Sequence, residues 1–195
     1  MVTSKWIYKF KHVTDGNIEK NKARLVAKGF SQKEGVHYDK TFSPVARYTS
    51  IRTVVSFAFV MGWEKHLMYV KTRFLYGVIE EEVYIEQPQG FKVQDKKSHV
   101  CILKMALYEL KQAPRARNSR IGEYLMSIGF NKSFEDPNFY FMIVDGNPLI
   151  SVLYVDDLFL TGAERLIVGC KRELASGFEM KDPGLMHYFL GLEVW

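Results

Sequence analysis

The stretch PLISVLYVDDLFL, residues 148–160, decides the fold of this chain. Two adjacent acids, Asp156 and Asp157, lie between two apolar runs that are short and rich in β-branched residues. Runs of this length and composition indicate strands, and aspartate is common in the turn between strands. The stretch therefore predicts a β-hairpin that is buried along its flanks and carries two acids at its tip.

The two neighbouring carboxylates also indicate a possible chemical role. Beside apolar surface they repel each other and lose hydration, unless one is protonated or a cation binds. A hard dication that prefers oxygen ligands, Mg²⁺ or Mn²⁺, compensates both charges. A solvated Asp-Asp turn without any ligand explains the same tetrapeptide, residues 154–157, and these residues alone leave both interpretations open.

Length and composition limit the function classes. The chain has 195 residues, 47% of them hydrophobic, which is enough for a core in one domain or two closely joined lobes. The formal net charge of +5 permits a polyanionic partner without proving one. No apolar run is long enough to span a bilayer and the N-terminus lacks a secretory apolar region, so we expect an intracellular protein without membrane association. Cys101 and Cys170 are too few and too far apart for a disulfide framework or a zinc site.

Strand and helix patterns alternate irregularly along the chain. Strands are predicted at residues 5–12, 21–28, 64–70, 82–86, 100–103, 138–144 and 149–155, and the final stretch 187–195 also has a strand pattern. Helices are predicted to begin at Thr49 or Ser50, at Pro114, and at Thr161 or Gly162. The first helix is predicted to bury Ile51, Val54, Val55, Ala58 and Phe59. The order of elements predicts an α+β fold with a mainly antiparallel sheet and helices on one face.

The N-terminal hairpin is basic. Residues 1–30 contain seven lysines and arginines but two acids. Residues 5–12 alternate between an aromatic and a mainly basic face, which predicts a half-buried strand that exposes cations where phosphates could bind. A solvated edge strand protected by lysines explains the same pattern.

Longer blocks follow one another along the chain and carry a family resemblance. They are KWI (5–7), KARLVAKGFSQKEGVHYDKTFSPVARYTSIRT (22–53), VKT (70–72), VYIEQPQGF (83–91), LKQAPRA (110–116), EDPNFY (135–140), LYVDDLFLTG (153–162) and FEMKDPGLMHYFLGLEV (178–194). In content and order these blocks resemble the reverse transcriptase domain of copia-type LTR retrotransposons, a class of transposable element, from one end of the chain to the other.

The resemblance implies a fingers-and-palm polymerase fragment. It divides the chain into fingers over about residues 1–50 and palm over about residues 51–195, a single truncated domain without thumb or ribonuclease H. It implies an RNA-directed DNA polymerase, a nucleotidyltransferase whose partners are an RNA or DNA template-primer and deoxynucleotides. It also implies a location in the cytoplasm or nucleus. In that family two Mg²⁺ ions, or Mn²⁺, assist the attack of the primer 3′-OH.

The same resemblance assigns roles to individual residues. Asp156 and Asp157 are implied as the catalytic and metal-binding acids. The implied substrate-binding residues are Lys22, Arg24 and Lys28, which resemble the fingers strand that grips the triphosphate, Phe74, which resembles the aromatic gate under the sugar, and Gln112, which resembles the residue that supports the incoming nucleotide. Residues 188–194 resemble the hairpin that grips the primer.

Tyr69 is the main departure from the family pattern. The family has an aspartate, its third metal-binding acid, immediately before the VKT block. A phenol with a reference pKa near 10 is neutral and a poor Mg²⁺ ligand. Loss of one transition-state donor typically costs roughly 10²–10³ in rate, so the resemblance predicts a catalytically inactive copy. Further departures are Arg73, Tyr76, Glu109 in place of a glycine, and Arg117 in place of a tryptophan.

Two other functions stay open. The basic hairpin, together with the bases between Lys104 and Arg120, favours a nucleic-acid-binding module without catalysis. An incomplete fold that leaves apolar surface exposed favours a non-functional relic of the element.

Overall fold

The computed structural model describes residues 1–13, 15–71, 77–96 and 98–194. The chain divides into two compact units, of which unit 1 comprises Met1–Phe42 and Phe74–Arg117 and unit 2 comprises Ser43–Arg73 and Asn118–Trp195. The predictions made for Arg73, Phe74 and Tyr76 lie outside the described residues.

The elements follow one another in this order. The strands are β1 (Ser4–His12), β2 (Ile18–Ala27), β3 (Lys65–Val70), β4 (Tyr84–Glu86), β5 (Val100–Ile102), β6 (Asn131–Lys132), β7 (Phe139–Val144), β8 (Asn147–Tyr154), β9 (Asp157–Gly162), β10 (Met180–Leu185), β11 (Tyr188–Phe189) and β12 (Leu192–Glu193). The α-helices are α1 (Tyr48–Val60), α2 (Ala113–Ser127) and α3 (Glu164–Gly177). Among the residues with described positions, no helix is both long and apolar enough to cross a bilayer.

Unit 2 is built on a six-stranded sheet in the order β10-β3-β9-β8-β7-β6, and its pairings are antiparallel. The predicted hairpin is β8 and β9, and it lies in the middle of this sheet. Val152, Leu153, Leu158, Phe159 and Leu160 are fully buried, which explains why the apolar runs are continuous rather than alternating. The prediction of an α+β fold with a mainly antiparallel sheet is confirmed.

Helices cover both faces of this sheet, so the prediction of helices on one face is wrong. Ile51 and Val54 of α1 pack in one core cluster with Leu67, Val152 and Phe159. On the opposite face, Lys171 of α3 lies 3.0 Å from Nδ1 of His66. Gly122 of α2 lies so close to Tyr140 that a Cβ there would be 2.6 Å from the tyrosine hydroxyl oxygen. Consecutive strand residues point to opposite faces of the sheet. A strand that is buried on both faces is apolar throughout, so its sequence does not show which face a helix covers.

Helix boundaries depart from the predictions at two positions. α1 begins at Tyr48 with Arg47 as its N-cap, so neither Thr49 nor Ser50 caps it. Thr161 and Gly162 end β9, and α3 begins at Glu164. In α1, Ile51, Val54 and Ala58 are buried as predicted and Val55 packs at the edge of the core. Phe59 is exposed, because a residue eight positions after Ile51 has rotated about 80° away from the buried stripe.

Unit 1 contains two small antiparallel sheets, β1-β2 and β4-β5. Its core cluster includes Val2, Ala27, Val83, Ile85 and Leu110. The prediction that β1 and β2 form a hairpin is confirmed, but the prediction that β1 is half-buried is wrong. Beyond Trp6 the aromatic residues of β1 are exposed, because alternation in a sequence shows two faces without showing whether either has a partner.

Candidate active site

The acidic hairpin of unit 2 closes through a two-residue turn. Tyr154 pairs with Asp157, so the turn residues are Val155 and Asp156, and Asp157 is the first residue of β9. One acid rather than two therefore lies at the tip. Asp156 is only 8% exposed and Asp157 is half-buried, which rules out a fully solvated Asp-Asp turn.

The backbone of this turn is strained. Val155 has a φ of 52°, whereas Asp156 does not have a positive φ. Glycine is the usual residue at the first position of such a hairpin turn, and a β-branched residue there is an outlier. A conformation of this kind costs on the order of 1–3 kcal/mol and persists only where the surrounding structure enforces it.

Tyr69 lies beside the acids. In the antiparallel pair of β3 and β9, Tyr69 is directly opposite Asp157, and the Val70 N–H donates to the Asp156 carbonyl at 3.0 Å. Residues directly opposite each other share a face, with Cβ atoms roughly 5 Å apart. Burial, and then the negative charge of Asp157, raises the pKa of Tyr69 above its usual value. The phenol is therefore neutral at physiological pH.

A row of four residues crosses the sheet at this level. Lys181 of β10 pairs with Tyr69, Tyr69 pairs with Asp157, and Asp157 pairs with Tyr154. The four side chains share one face because register partners do. Sequence reasoning missed Lys181, since a single lysine in a stretch without a strand pattern gives no signal.

The side chains at this turn do not fit a two-metal centre. Two carboxylates are present, those of Asp156 and Asp157, and the side chain directly opposite Asp157 is a neutral phenol with a raised pKa. Within residues 1–13, 15–71, 77–96 and 98–194, no group of three or more histidine, cysteine, aspartate or glutamate residues could hold a metal ion. Divalent ions demand several anionic or neutral oxygen ligands, and a protonated phenol is a weak one.

Two of the predicted triphosphate-binding residues are brought together in unit 1. Lys22 and Arg24 are two positions apart on β2 and share a face, opposite Lys9 and Ile7 of β1. The Arg24 guanidinium lies 5.5 Å from the centre of the Tyr108 ring. Its Nε is buried and has no hydrogen-bond partner among the described residues. Lys28 follows β2 and is half-buried.

Gln112 is buried and its side chain is engaged at both ends. Its Nε2 donates to the His37 carbonyl at 2.9 Å, and its Oε1 accepts from Gln32 Nε2 at 3.0 Å. The Gln32 side chain also accepts from the Lys111 backbone N–H at 2.8 Å. In this arrangement Gln112 holds the loop that contains Gln32 and His37.

Sequence reasoning missed a buried polar cluster next to the acidic hairpin. The Asp136 carboxylate accepts from the Arg47 N–H at 2.9 Å and from the Asn138 N–H at 3.0 Å. Asn118 donates to the Asn138 side chain at 2.7 Å, and the Leu153 N–H donates to the Asn138 carbonyl at 2.9 Å. The cluster thus fixes the end of β8 just before the turn. Asp and Asn flanking Pro137 indicate a turn, but nothing local indicates these distant partners.

Glu109 has a backbone conformation that is unusual for its residue type. Its φ is 67°, a left-handed conformation that glycine adopts without a steric penalty. The backbone at this position therefore favours a glycine, and the glutamate is strained.

Comparison with known proteins identifies the relatives of the chain. A family described as "Reverse transcriptase (RNA-dependent DNA polymerase)" matches residues 1–195. The retrovirus-related Pol polyprotein from transposon TNT 1-94 of Nicotiana tabacum is 43% identical over 192 residues, 97% of this chain and 14% of that protein. The corresponding polyprotein from transposon RE1 of Arabidopsis thaliana is 41% identical over 195 residues, 99% of this chain and 13% of that protein.

A more distant relative is the transposon Ty1-BR Gag-Pol polyprotein of Saccharomyces cerevisiae, which is 25% identical over 182 residues, 89% of this chain and 10% of that protein. The chain thus spans 13–14% of the length of the two plant polyproteins. No solved structure matches it.

Proposed function

The chain belongs to the reverse transcriptase (RNA-dependent DNA polymerase) family, among the copia-type Pol polyproteins of plant transposons, and we propose that its acidic turn is the disabled remnant of that family's catalytic centre. The observation that carries the proposal is the register of β3 and β9, which sets Tyr69 opposite Asp157. The residue that should supply a third carboxylate supplies a phenol instead.

The phenol changes what this site can do. At neutral pH Tyr69 contributes a hydroxyl donor and a ring, but no negative charge, because its pKa is raised by burial and by Asp157. Enzymes of this family generally use divalent metal ions, and the side chains that the structure describes at the acidic turn do not fit them. No metal-assisted step is therefore assigned to this chain. Loss of one electrostatic partner of the transition state typically lowers the rate roughly 10²–10³-fold.

The test compares the purified chain with its Tyr69→Asp variant in two assays. The first measures primer extension with Mg²⁺ or Mn²⁺, and the second measures Mn²⁺ binding by electron paramagnetic resonance. We expect no extension and weak Mn²⁺ binding for the wild type, and at least about tenfold tighter Mn²⁺ binding for Tyr69→Asp, because a third carboxylate joins the site. Extension by the variant should be partial at most.

Two matched variants control this test. Tyr69→Phe keeps the ring without the hydroxyl and should bind Mn²⁺ no better than the wild type. Asp156→Asn in the Tyr69→Asp background should abolish the gain. Robust primer extension by the wild-type chain, or a Tyr69→Asp variant with unchanged Mn²⁺ affinity, would contradict the proposal.

A second candidate function is nucleic-acid binding without catalysis. One face of the β1-β2 hairpin, the cationic face, carries Lys5, Lys9, Lys11, Lys20, Lys22 and Arg24. Lys9 is directly opposite Lys22, and Lys11 is directly opposite Lys20. Like charges directly opposite each other are destabilising, and a polyanion on this face relieves the repulsion.

Salt dependence tests this second function. Each phosphate contact with a single strand contributes about −0.7 to the slope of log K against log salt. The Lys9→Gln/Lys11→Gln variant should therefore bind a single-stranded oligonucleotide more weakly, with a slope reduced by about 1.4. Arg172→Gln, an exposed change on α3 of unit 2, should leave the slope unchanged. Wild-type affinity that does not vary with salt would exclude the function.

A further inference from the structure

Unit 2 contains a cavity at the end of β3 that is remote from the acidic turn. Its volume is about 350 Å³, and the residues that line it include Phe59, Trp63, Lys65, Leu185, Met186 and Val194. Lys65 begins β3 and Tyr69 lies four residues further along the strand. At about 3.4 Å per residue, the cavity is roughly 14 Å from the row of side chains that contains Asp157. The cavity is therefore separate from the candidate active site.

The walls of the cavity are fixed by the fold. Met186 and Val194 are buried and belong to the core cluster on which α1 packs. The Met186 N–H donates to the Lys65 carbonyl at 2.7 Å, which joins two of the walls. The Trp63 ring packs edge-on against Phe57, with ring centroids 5.3 Å apart. A cavity that is already formed loses little conformational entropy when a ligand binds.

Large apolar side chains around the cavity are open to solvent. Phe59 is 72% exposed and Leu185 is 48% exposed. Concave, mainly apolar surfaces with a few polar groups and volumes of about 300–1,000 Å³ are typical of small-molecule sites. The cavity therefore suits a ligand with an apolar body that covers these side chains.

Lys65 gives the cavity a positive charge. Its side chain is half-buried, and its Nζ lies 5.9 Å from the centre of the Phe59 ring. No carboxylate of a residue with a described position forms an ion pair with it. Glu64 also lines the cavity, but its carboxylate is held at 2.9 Å by Nε2 of His66. His187, an exposed residue, adds a second basic group at the edge.

We propose that this cavity binds a small amphipathic carboxylate. The apolar body of the ligand packs against Phe59 and Leu185, and its acid group pairs with Lys65. A single ammonium matches the single charge of a carboxylate, and a half-buried ion pair is screened by salt less than one at the surface. The site is independent of the functions proposed above, because the residues that line it belong neither to the acidic turn nor to the β1-β2 hairpin.

The experiment separates the charge of the ligand from its apolar body. Isothermal titration calorimetry measures the binding of cinnamate and of cinnamamide, an uncharged molecule of nearly the same shape. The wild-type chain is compared with Lys65→Met, which keeps an apolar chain and removes the charge, and with Lys65→Arg, which keeps the charge. Lys132→Met is the matched control, because Lys132 Nζ also lies near an aromatic ring, 6.0 Å from the centre of Tyr140, but outside the cavity.

We expect the wild type to bind cinnamate at least about tenfold more tightly than cinnamamide, because a charged hydrogen bond is stronger than a neutral one. Lys65→Met should lose this preference and keep its affinity for cinnamamide. Lys65→Arg and Lys132→Met should retain the preference. Leu185→Trp fills part of the cavity with a larger side chain and should weaken both ligands. Thermal melts verify that each variant folds.

Two results would overturn the site. If the wild type binds the two ligands equally, or if Lys65→Met keeps the preference for cinnamate, the cavity accepts an apolar body without reading its charge. If the wild type binds neither ligand at concentrations up to about 1 mM, the cavity is not a site for this class of molecule. Both results leave the proposals for the acidic turn and for the cationic face unaffected.

Discussion

Strand β8 has a two-residue turn at each end, and the two turns differ in backbone conformation and in the residues that adopt it. At its start, Asp145 and Gly146 both have positive φ, 52° and 73°, which is the pattern of a type I′ hairpin turn. At its end, Val155 alone has positive φ and Asp156 is buried. The first turn has the sequence that its backbone prefers, and the second has a residue that its backbone disfavours.

The difference shows where local chemistry is sufficient. The Asp145-Gly146 turn is stabilised mainly within itself, where the Asn147 side chain donates to the Asp145 carbonyl at 2.9 Å. Its ion pair from Asp145 to Arg165 of α3, at 3.6 Å, joins two exposed side chains and contributes little. The Val155-Asp156 turn is held from outside, by Val70 through the Asp156 carbonyl and by Asn138 through Leu153. Strain enforced by surrounding structure is typical of functional sites, and here it lies in the turn that we propose is the remnant of a catalytic centre.

Removal of the outside support should have the largest effect on stability. Asp136→Ala removes the acceptor of the Asn138 N–H, which is buried, and of the Arg47 N–H, which is partly buried. We expect a loss of about 3 kcal/mol in the free energy of unfolding, measured by urea denaturation. Hydrogen exchange should accelerate at the Leu153 N–H, near the strained turn, more than at the Asn147 N–H, near the relaxed one.

Asp136→Asn serves as the matched control, because it keeps an acceptor oxygen and removes the charge. It should lose less stability than Asp136→Ala. Equal acceleration of exchange at both ends of β8 would show that the two turns depend on the same support, and the contrast between them would be lost.

A valine in the relaxed turn should reproduce the strain of the other one. Gly146 has a φ of 73° and no atom within 4 Å of the position a Cβ would occupy, so a larger residue there meets no clash. The cost of Gly146→Val is therefore purely conformational, about 2 kcal/mol by urea denaturation. Gly146→Asn tolerates the left-handed region and should cost less. A valine variant as stable as the wild type would remove the basis for calling Val155 strained.

The parts of the fold that follow from short sequence patterns could be predicted, and those that depend on distant partners could not. The β8-β9 hairpin was predicted because its two strands and its turn are contiguous in the sequence, at residues 148–160. The hydrogen bond from Arg47, the N-cap residue of α1, to Asp136 could not be predicted, because the two residues are 89 positions apart in sequence. The exposure of Tyr8 and Phe10 also escaped prediction, since alternation does not reveal whether a face is covered.

The candidate site divides in the same way. Asp156 and Asp157 were found from local chemistry, whereas Tyr69 was singled out only through the family resemblance, and its register with Asp157 then gave the geometry. Lys181 belongs to the same row and was missed, because its strand contains Pro183 and Gly184 and shows no strand pattern. The roles proposed for Lys22, Arg24, Lys28, Phe74 and Gln112 stay predictions.

Strand β10 also supports the strained turn from outside the hairpin, because it pairs with β3, which pairs with β9. Asp182 lies in the irregular part of this strand, where it accepts two hydrogen bonds from Lys171 Nζ, at 3.0 and 2.9 Å, and one from the Gly184 N–H at 2.9 Å. Burial alone would raise the pKa of Asp182, but these bonds outweigh it and hold the pKa below its usual value. The neighbouring residue, Lys181, pairs with Tyr69 in the row that contains Asp157.

Lys171→Met should therefore change how stability depends on pH. A carboxyl group whose pKa is lowered by folding stabilises the protein above its unfolded pKa, near 4, and that contribution is lost as pH falls through the folded value. Asp182 is 42% exposed, so solvent screening limits the effect to about 1 kcal/mol at pH 6. Urea denaturation between pH 2 and pH 6 should show a shallower acid decline for Lys171→Met than for the wild type. Arg172→Met, the adjacent exposed change, should decline as the wild type does, and an unchanged slope in Lys171→Met would contradict the assignment.

Relief of the strain itself should have the smallest effect on stability and a distinctive effect on motion. Val155→Gly removes a conformational penalty of about 1–2 kcal/mol, but glycine also gains freedom in the unfolded chain, so the net gain should be about 0.5 kcal/mol. Val155 is substantially exposed, so little burial is lost. The relaxed turn should constrain Asp156 less, and the Val70 N–H that donates to its carbonyl should exchange faster even though the protein is more stable. Val155→Ala keeps the Cβ and should show neither change. A glycine variant that loses stability and keeps the Val70 N–H protected would mean that the valine side chain, rather than the surrounding structure, holds the turn in place.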